Sequence, residues 1–231
     1  MRLGLLLIIS LGWVLWNRSV AFLCHRVGHR RVKTVQQTIF SLGTVVMSLA
    51  TLWNYRHVPI SETLLGDNAR FPWATATTLL SVGFFVQDLF VCGNPFVIIH
   101  HLAIIGALLV SMWVDRHILA GIPFFLWSEF GAFLYCAFVL FVPSNRTTFG
   151  IYNLIYCMPR VCILVHYHRC LRFCLENGMR SGTIGLGLIG IFLVLQLYSW
   201  WSHVEGWCRG KSLEETSSVR KTTPTPTPRD D

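Results

Sequence analysis

Asp88 is followed, after a short Gly93-Asn94-Pro95 break, by the pair His100-His101. So tight a connection forces a hairpin, with the acid about a turn before it and the histidines about a turn after it. A carboxylate beside an imidazole orients the ring and raises its basicity, as acid–base and nucleophilic sites require. Further along stand Glu129, amid Phe and Leu, and Arg160, preceded at helical spacing by Asn153 and Tyr156. Thr77 and Ser81 precede Asp88 in the same way, and Gln196, Ser199 and His203 form a last polar stripe. The expected site is therefore His100, His101 and Asp88 as reacting groups, with Glu129, Arg160, Tyr156, Asn153 and Ser81 lining a cavity.

These residues lie inside long apolar stretches. The chain has 231 residues, 53% of them hydrophobic and only 13% charged, against about 25% charged in a soluble domain. A spanning helix needs roughly 20 mostly apolar residues. The pattern predicts an all-α transmembrane bundle of about seven spans, near 3–23, 36–53, 74–92, 96–114, 118–141, 150–168 and 183–203. Residues 1–23 form an N-terminal helix interrupted by Asn17 and Arg18. Residues 24–204 form the main membrane domain, and 205–231 a disordered tail ending in a Thr-Pro repeat. An acid or an Arg at bilayer depth costs about 2.5–3.5 kcal/mol on insertion scales. Asp88, Glu129 and Arg160 must therefore turn inward. One such residue alone reads as glue between helices; five ionisable groups in four neighbouring helices point to a functional cavity.

The net charge of +8 comes from basic residues between and after the apolar stretches, which is the pattern of membrane flanks rather than of nucleic-acid binding. The dense run Arg26, Arg30, Arg31, Lys33 is expected in the cytosol. That places the N-terminus in the lumen and the C-terminus in the cytosol, although Arg169, Arg172 and Arg180 in an expected loop near 169–180 argue against it. Eight scattered cysteines without a C-x-x-C pair give no disulfide framework or zinc site. His25/His29 sit among cations, and His166/His168 are expected near a span end, facing the interface. No metal or cofactor is expected. Gly185-Leu-Gly-Leu-Ile-Gly190 matches a dinucleotide fingerprint but lies in the last span, where small residues serve helix packing.

The stretch Ser81-Val-Gly-Phe-Phe-Val-Gln-Asp88 followed by His100-His101 resembles the signature of the TLC-domain family (TRAM, LAG and CLN type). Trp127-Ser-Glu129 and Met158-Pro-Arg160 continue the match, which covers about 20–204. Length and the Cys24-His25…His29 segment are most similar to the small, five-type TLC-domain branch. The resemblance implies a six-span core plus the N-terminal helix, residence in the endoplasmic reticulum, and membrane lipids as partners. In ceramide synthases of this family a His-Asp-x-x-Asp constellation follows the His pair one helix later; here that region keeps only Glu129. The resemblance thus implies a lipid-binding or lipid-regulating protein in membrane lipid homeostasis. The alternative is a lipid acyltransferase that uses acyl-CoA and the His pair. A proton-coupled carrier is disfavoured, because no inverted repeat or broken helix pair is visible.

Overall fold

The computed structural model describes residues 2–26, 32–90, 95–114, 116–142 and 145–211. The basic run at 27–31, most of the Gly93-Asn94-Pro95 turn and the Thr-Pro tail lie outside the described residues. The helices are α1 (Arg2–Arg26), α2 (Val32–Asn54), α3 (Ile60–Leu65), α4 (Pro72–Leu89), α5 (Pro95–Trp113), α6 (Ile118–Phe141), α7 (Arg146–Glu176) and α8 (Arg180–Cys208). Among the described residues there is no strand, so the chain is an all-α bundle, and each of the seven predicted spans is a helix.

Local chemistry explains where these helices begin and end. Pro72 and Pro95 open α4 and α5, where a missing N–H costs nothing and a fixed φ helps. Asn145 caps α7 through a reciprocal box: its side chain accepts from the Thr148 N–H, and the Thr148 hydroxyl accepts from the Asn145 N–H. Gly178, at φ 62°, carries the chain out of α7 in a conformation that glycine adopts without strain. Two expectations are corrected here. The predicted loop near 169–180 is helical as far as Glu176, because the apolar spacing continues through Ile163, Cys170 and Cys174. Likewise α8 runs to Cys208, past the expected end at 204.

The helices face their polar side chains inward. On α7, Tyr152, Asn153, Tyr156, Arg160 and Ile163 are buried, while Leu154, Val161 and Val165 are exposed. On α2, Ser41, Thr44, Ser48 and Thr51 are buried and Leu42, Val46 and Leu49 exposed. This is the reverse of a water-soluble helix and is what a hydrocarbon solvent demands. Helices α2, α6, α7 and α8 are long and apolar enough to cross a membrane, and α5 carries a shorter apolar stretch over Val97–Met112. The protein is an integral membrane protein.

Without a hydrophobic drive between helices in lipid, close approach of small residues holds the bundle together. The Ser/Thr seam of α2 packs on α6, α5 and α7 pack on α8, and α1 on α4. Within the fingerprint-like stretch of α8, a Cβ on Gly190 would stand 3.0 Å from the Tyr167 hydroxyl, so the glycine serves packing as expected. Asn17, which interrupts the first apolar stretch, donates to the Gln87 side chain of α4 at 2.6 Å, and the Trp13 indole donates to the Leu80 carbonyl at 2.9 Å. These bonds dock α1 on the bundle. At Gly83 a Cβ would come within 2.5 Å of Ile9, so this glycine lets α1 lie against α4.

The connector between α2 and α4 closes one end of the bundle. Asn68 is buried; its amide donates to the Ser111 carbonyl at 3.0 Å, and its oxygen accepts the Ile118 N–H at 3.2 Å. One side chain thereby satisfies the open Ile118 N–H at the start of α6 and adds a second bond to the Ser111 carbonyl, which also accepts the Arg116 N–H. Beside it His117, at φ 75°, reaches the Ser181 hydroxyl at 3.3 Å.

Gly83→Val should detach α1 from α4 and cost about 1–3 kcal/mol, read as a fall in stability in mixed micelles. His117 stands outside the spans. Burial first, and then the charge of Arg116, hold its pKa below the usual 6.5, against the backbone hydrogen bond at Leu64. The unfolded chain therefore binds the proton more tightly. The stability contributed by His117 should be complete above about pH 6.5 and decline as pH falls towards the folded-state value. His117→Gln should remove that decline from an unfolding titration.

Candidate functional site

Asp88 sits in the last turn of α4 and His100-His101 early in α5, so the hairpin brings them to one depth. The Nδ1 atom of His101 lies 3.4 Å from Oδ2 of Asp88. The contact has ion-pair distance without hydrogen-bond alignment, since among the described residues that nitrogen has no hydrogen-bond partner. The His101 ring is buried against Phe85 at 4.8 Å; the His100 ring stands edge-on to it at 4.6 Å and to Phe192 at 5.1 Å. Asp88 is partly open, its side chain 25% exposed, and the charge of Lys33 reaches it from the start of α2.

Glu129 and Arg160, 4% and 3% exposed, make the second half of the site. Ser41 donates to Oε2 of Glu129 at 2.7 Å, and Gln37 donates to the Ser41 hydroxyl at 3.0 Å. A relay of donors from α2 thus ends on the α6 carboxyl. Arg160 donates through Nη2 to the Tyr156 hydroxyl, with its guanidinium carbon 4.2 Å over the tyrosine ring. Gly131 leaves the space for this, because a Cβ there would meet Nη2 at 3.0 Å. The charge of Arg160 acts on both Glu129 and His100. Its Nε and Nη1 atoms have no partner among the described residues. A buried cation with idle donors is costly and offers hydrogen bonds to an oxygen of a bound molecule.

Asp88, His101 and His100 thus stand together, as do Arg160 and Tyr156, and the Arg160 charge links the two groups through His100 and Glu129. Ser81 and Asn153 are buried as well. Ser81 donates to the Thr77 carbonyl of its own helix at 3.0 Å. Asn153 faces a groove between α7 and α8. His166 departs from the expected interfacial position: its ring bonds to the Ala120 carbonyl of α6 at 2.9 Å. Pro123 removes one N–H from α6, the partner of the Leu119 carbonyl, and the His166 contact falls on the next carbonyl along the helix. His168 is exposed, as expected.

Sequence reading overlooked Gln37 and Ser41. Their signal was present in the spacing of Gln37, Ser41, Thr44, Ser48 and Thr51, a polar line along one face of an otherwise apolar helix. It also left Tyr152 out of the site; its hydroxyl lies 3.3 Å from Nδ1 of His203, on which Tyr135 stacks.

Between the helices runs a cavity with about 80 Å³ open to the centre of a water-sized sphere, several times the ~10–15 Å³ that one water needs. Its walls are apolar, including Ile104, Leu108, Phe124, Phe125 and Leu186. At one end are Phe85 and Phe192, the rings that touch His101 and His100; at the other are Leu64 and His117. Among the described residues no three His, Cys, Asp or Glu side chains gather to hold a metal ion. No family model, curated protein or solved structure matches the chain.

Ser41→Ala should leave the Glu129 carboxyl without its donor and cost about 1–3 kcal/mol. In a Glu129→Leu background the same substitution should cost much less. A double-mutant cycle of unfolding in mixed micelles measures that coupling.

Proposed function

We propose that this protein binds or regulates lipids in membrane lipid homeostasis, holding acyl chain in the cavity and polar headgroup at the His100/Asp88/Arg160 interior. The observation that carries the reading is the continuity of the two: an apolar slot whose end rings, Phe85 and Phe192, stand directly against His101 and His100. Apolar walls with a few convergent polar groups are the usual form of a ligand site. The idle Nε and Nη1 donors of Arg160 suit a phosphate or carboxylate oxygen. The TLC-domain resemblance agrees with this reading, and with residence in the endoplasmic reticulum. The basic residues flanking α1 and α2 favour a lumenal N-terminus and a cytosolic C-terminus.

A second reading, acyl transfer from acyl-CoA, is favoured by one contact, the 3.4 Å approach of His101 to Asp88. A histidine nitrogen would attack the thioester carbonyl, breaking the C–S bond and releasing the coenzyme A thiol, or would take the proton of an acceptor lipid that attacks it with the same leaving group. The region after the His pair, which keeps Glu129 but none of the further acids of the ceramide synthases, weighs against it.

Gly121 lines the cavity, and a Cβ there meets nothing within 4 Å, so Gly121→Leu should fill the slot without straining α6. Mass spectrometry of co-purified lipids should show their loss from that variant. An identical lipid complement in wild type and Gly121→Leu would sink the binding reading. A His100-dependent covalent adduct from labelled acyl-CoA would establish acyl transfer instead.

A further inference from the structure

On the outer side of the bundle, α7 and α8 bound a groove lined by Arg146, Thr147, Asn153, Trp200 and Trp207. Among the described residues, Oδ1 and Nδ2 of Asn153 and Nε1 of Trp200 have no hydrogen-bond partner. Asn153 is only 6% exposed. Buried amides and indoles are nearly always hydrogen-bonded, so three idle atoms at one groove mark the place of an absent partner. They offer two donor groups and one acceptor.

The upper end of the groove has a different character. Arg146 is the first residue of α7 and exposed. The Asn145 cap occupies the Thr148 N–H, leaving the first N–H groups of the helix, together with its dipole and the arginine, to an anion. Trp207 fixes one wall. Its indole donates to the Arg146 carbonyl at 3.0 Å and lies over Gly150, where a Cβ would stand 3.2 Å from Nε1. Asn153 lies two turns further along α7, about 10 Å of helix rise below Arg146. Below it, exposed Leu154 faces outward.

We infer that this groove binds one anionic phospholipid. Its phosphate lies at Arg146 and the first turn of α7, an ester carbonyl accepts from Asn153 and Trp200, and an acyl chain descends past Leu154. The order of chemistry along the groove, cation, then buried donors, then aliphatic surface, follows the order of groups in a phospholipid entering a leaflet. A free phosphate would meet the upper part alone and leave Asn153 and Trp200 idle. The site is separate from the His100 cavity and does not depend on what that cavity holds.

The test uses the full chain equilibrated in mixed micelles with equal phosphatidylglycerol and phosphatidylcholine, with retained lipid counted by native mass spectrometry. Phosphatidylglycerol should be retained preferentially. Arg146→Gln should reduce that preference about fivefold, the factor a surface cation contributes. Trp200→Phe, which keeps an aromatic side chain but removes the N–H together with the fused five-membered ring, should lower retention of both lipids. Gly121→Leu, which fills the separate cavity, should change neither, so failure here and failure of the cavity reading are distinguishable. Equal retention of the two phospholipids by wild type would overturn the assignment, as would wild-type behaviour of both groove variants. Displacement of the lipid by inorganic phosphate alone would identify a free-anion site and also overturn it.

Discussion

Hydrocarbon offers no hydrogen bonds, so each polar side chain in a membrane span must find its partner on another helix or in a cavity. The arrangement of this bundle follows from that constraint. Asp88, Glu129 and Arg160 decide which way α4, α6 and α7 rotate, and the aliphatic faces are then left pointing outward by default. The polar face of α2 meets the same demand at lower cost, since a hydroxyl can bond to its own helix, as Thr51 does with the Met47 carbonyl.

Glycine placement complements that polar logic. Gly83 admits α1, Gly131 admits the guanidinium of Arg160, and Gly150 admits the indole of Trp207. In each case a missing side chain on one helix makes room for a large or charged one on another. Such packing supplies much of what holds the helices together where burial of apolar surface drives nothing. It also explains how an arginine as deeply buried as Arg160 fits between helices packed this closely.

The spans were legible because apolar length is a strong and local signal. The inward turn of Asp88, Glu129 and Arg160 was legible because only one orientation of a charge in lipid is affordable. The pairing of Asp88 with His101 followed from the short turn between their helices. Less visible was whatever depends on contacts distant in sequence. Gln37 and Ser41 are ordinary residues until α6 places Glu129 beside them, and the polar line on α2 is diluted by its apolar outer face. His166 looked interfacial because the apolar run ahead of it weakens near 168, whereas α7 continues for 31 residues, about 46 Å at 1.5 Å per residue. Asn153 is buried, as its polar stripe with Tyr156 and Arg160 implies, but it lines the α7/α8 groove with residues of α8 more than 40 positions further along the chain.

Asn68 gives the cavity a direction. By bonding to both Ser111 and Ile118, it fastens the α2–α4 connector across the turn joining α5 to α6. Traffic through that end would have to break both bonds and part Leu64 from the helices it packs on. Among the described residues no pair of hydrogen bonds fastens the His100 end in this way, and its acid is partly open to the surroundings. For an occupant of the kind proposed, the histidine end is the easier passage, and it leads past the ionisable groups in both directions.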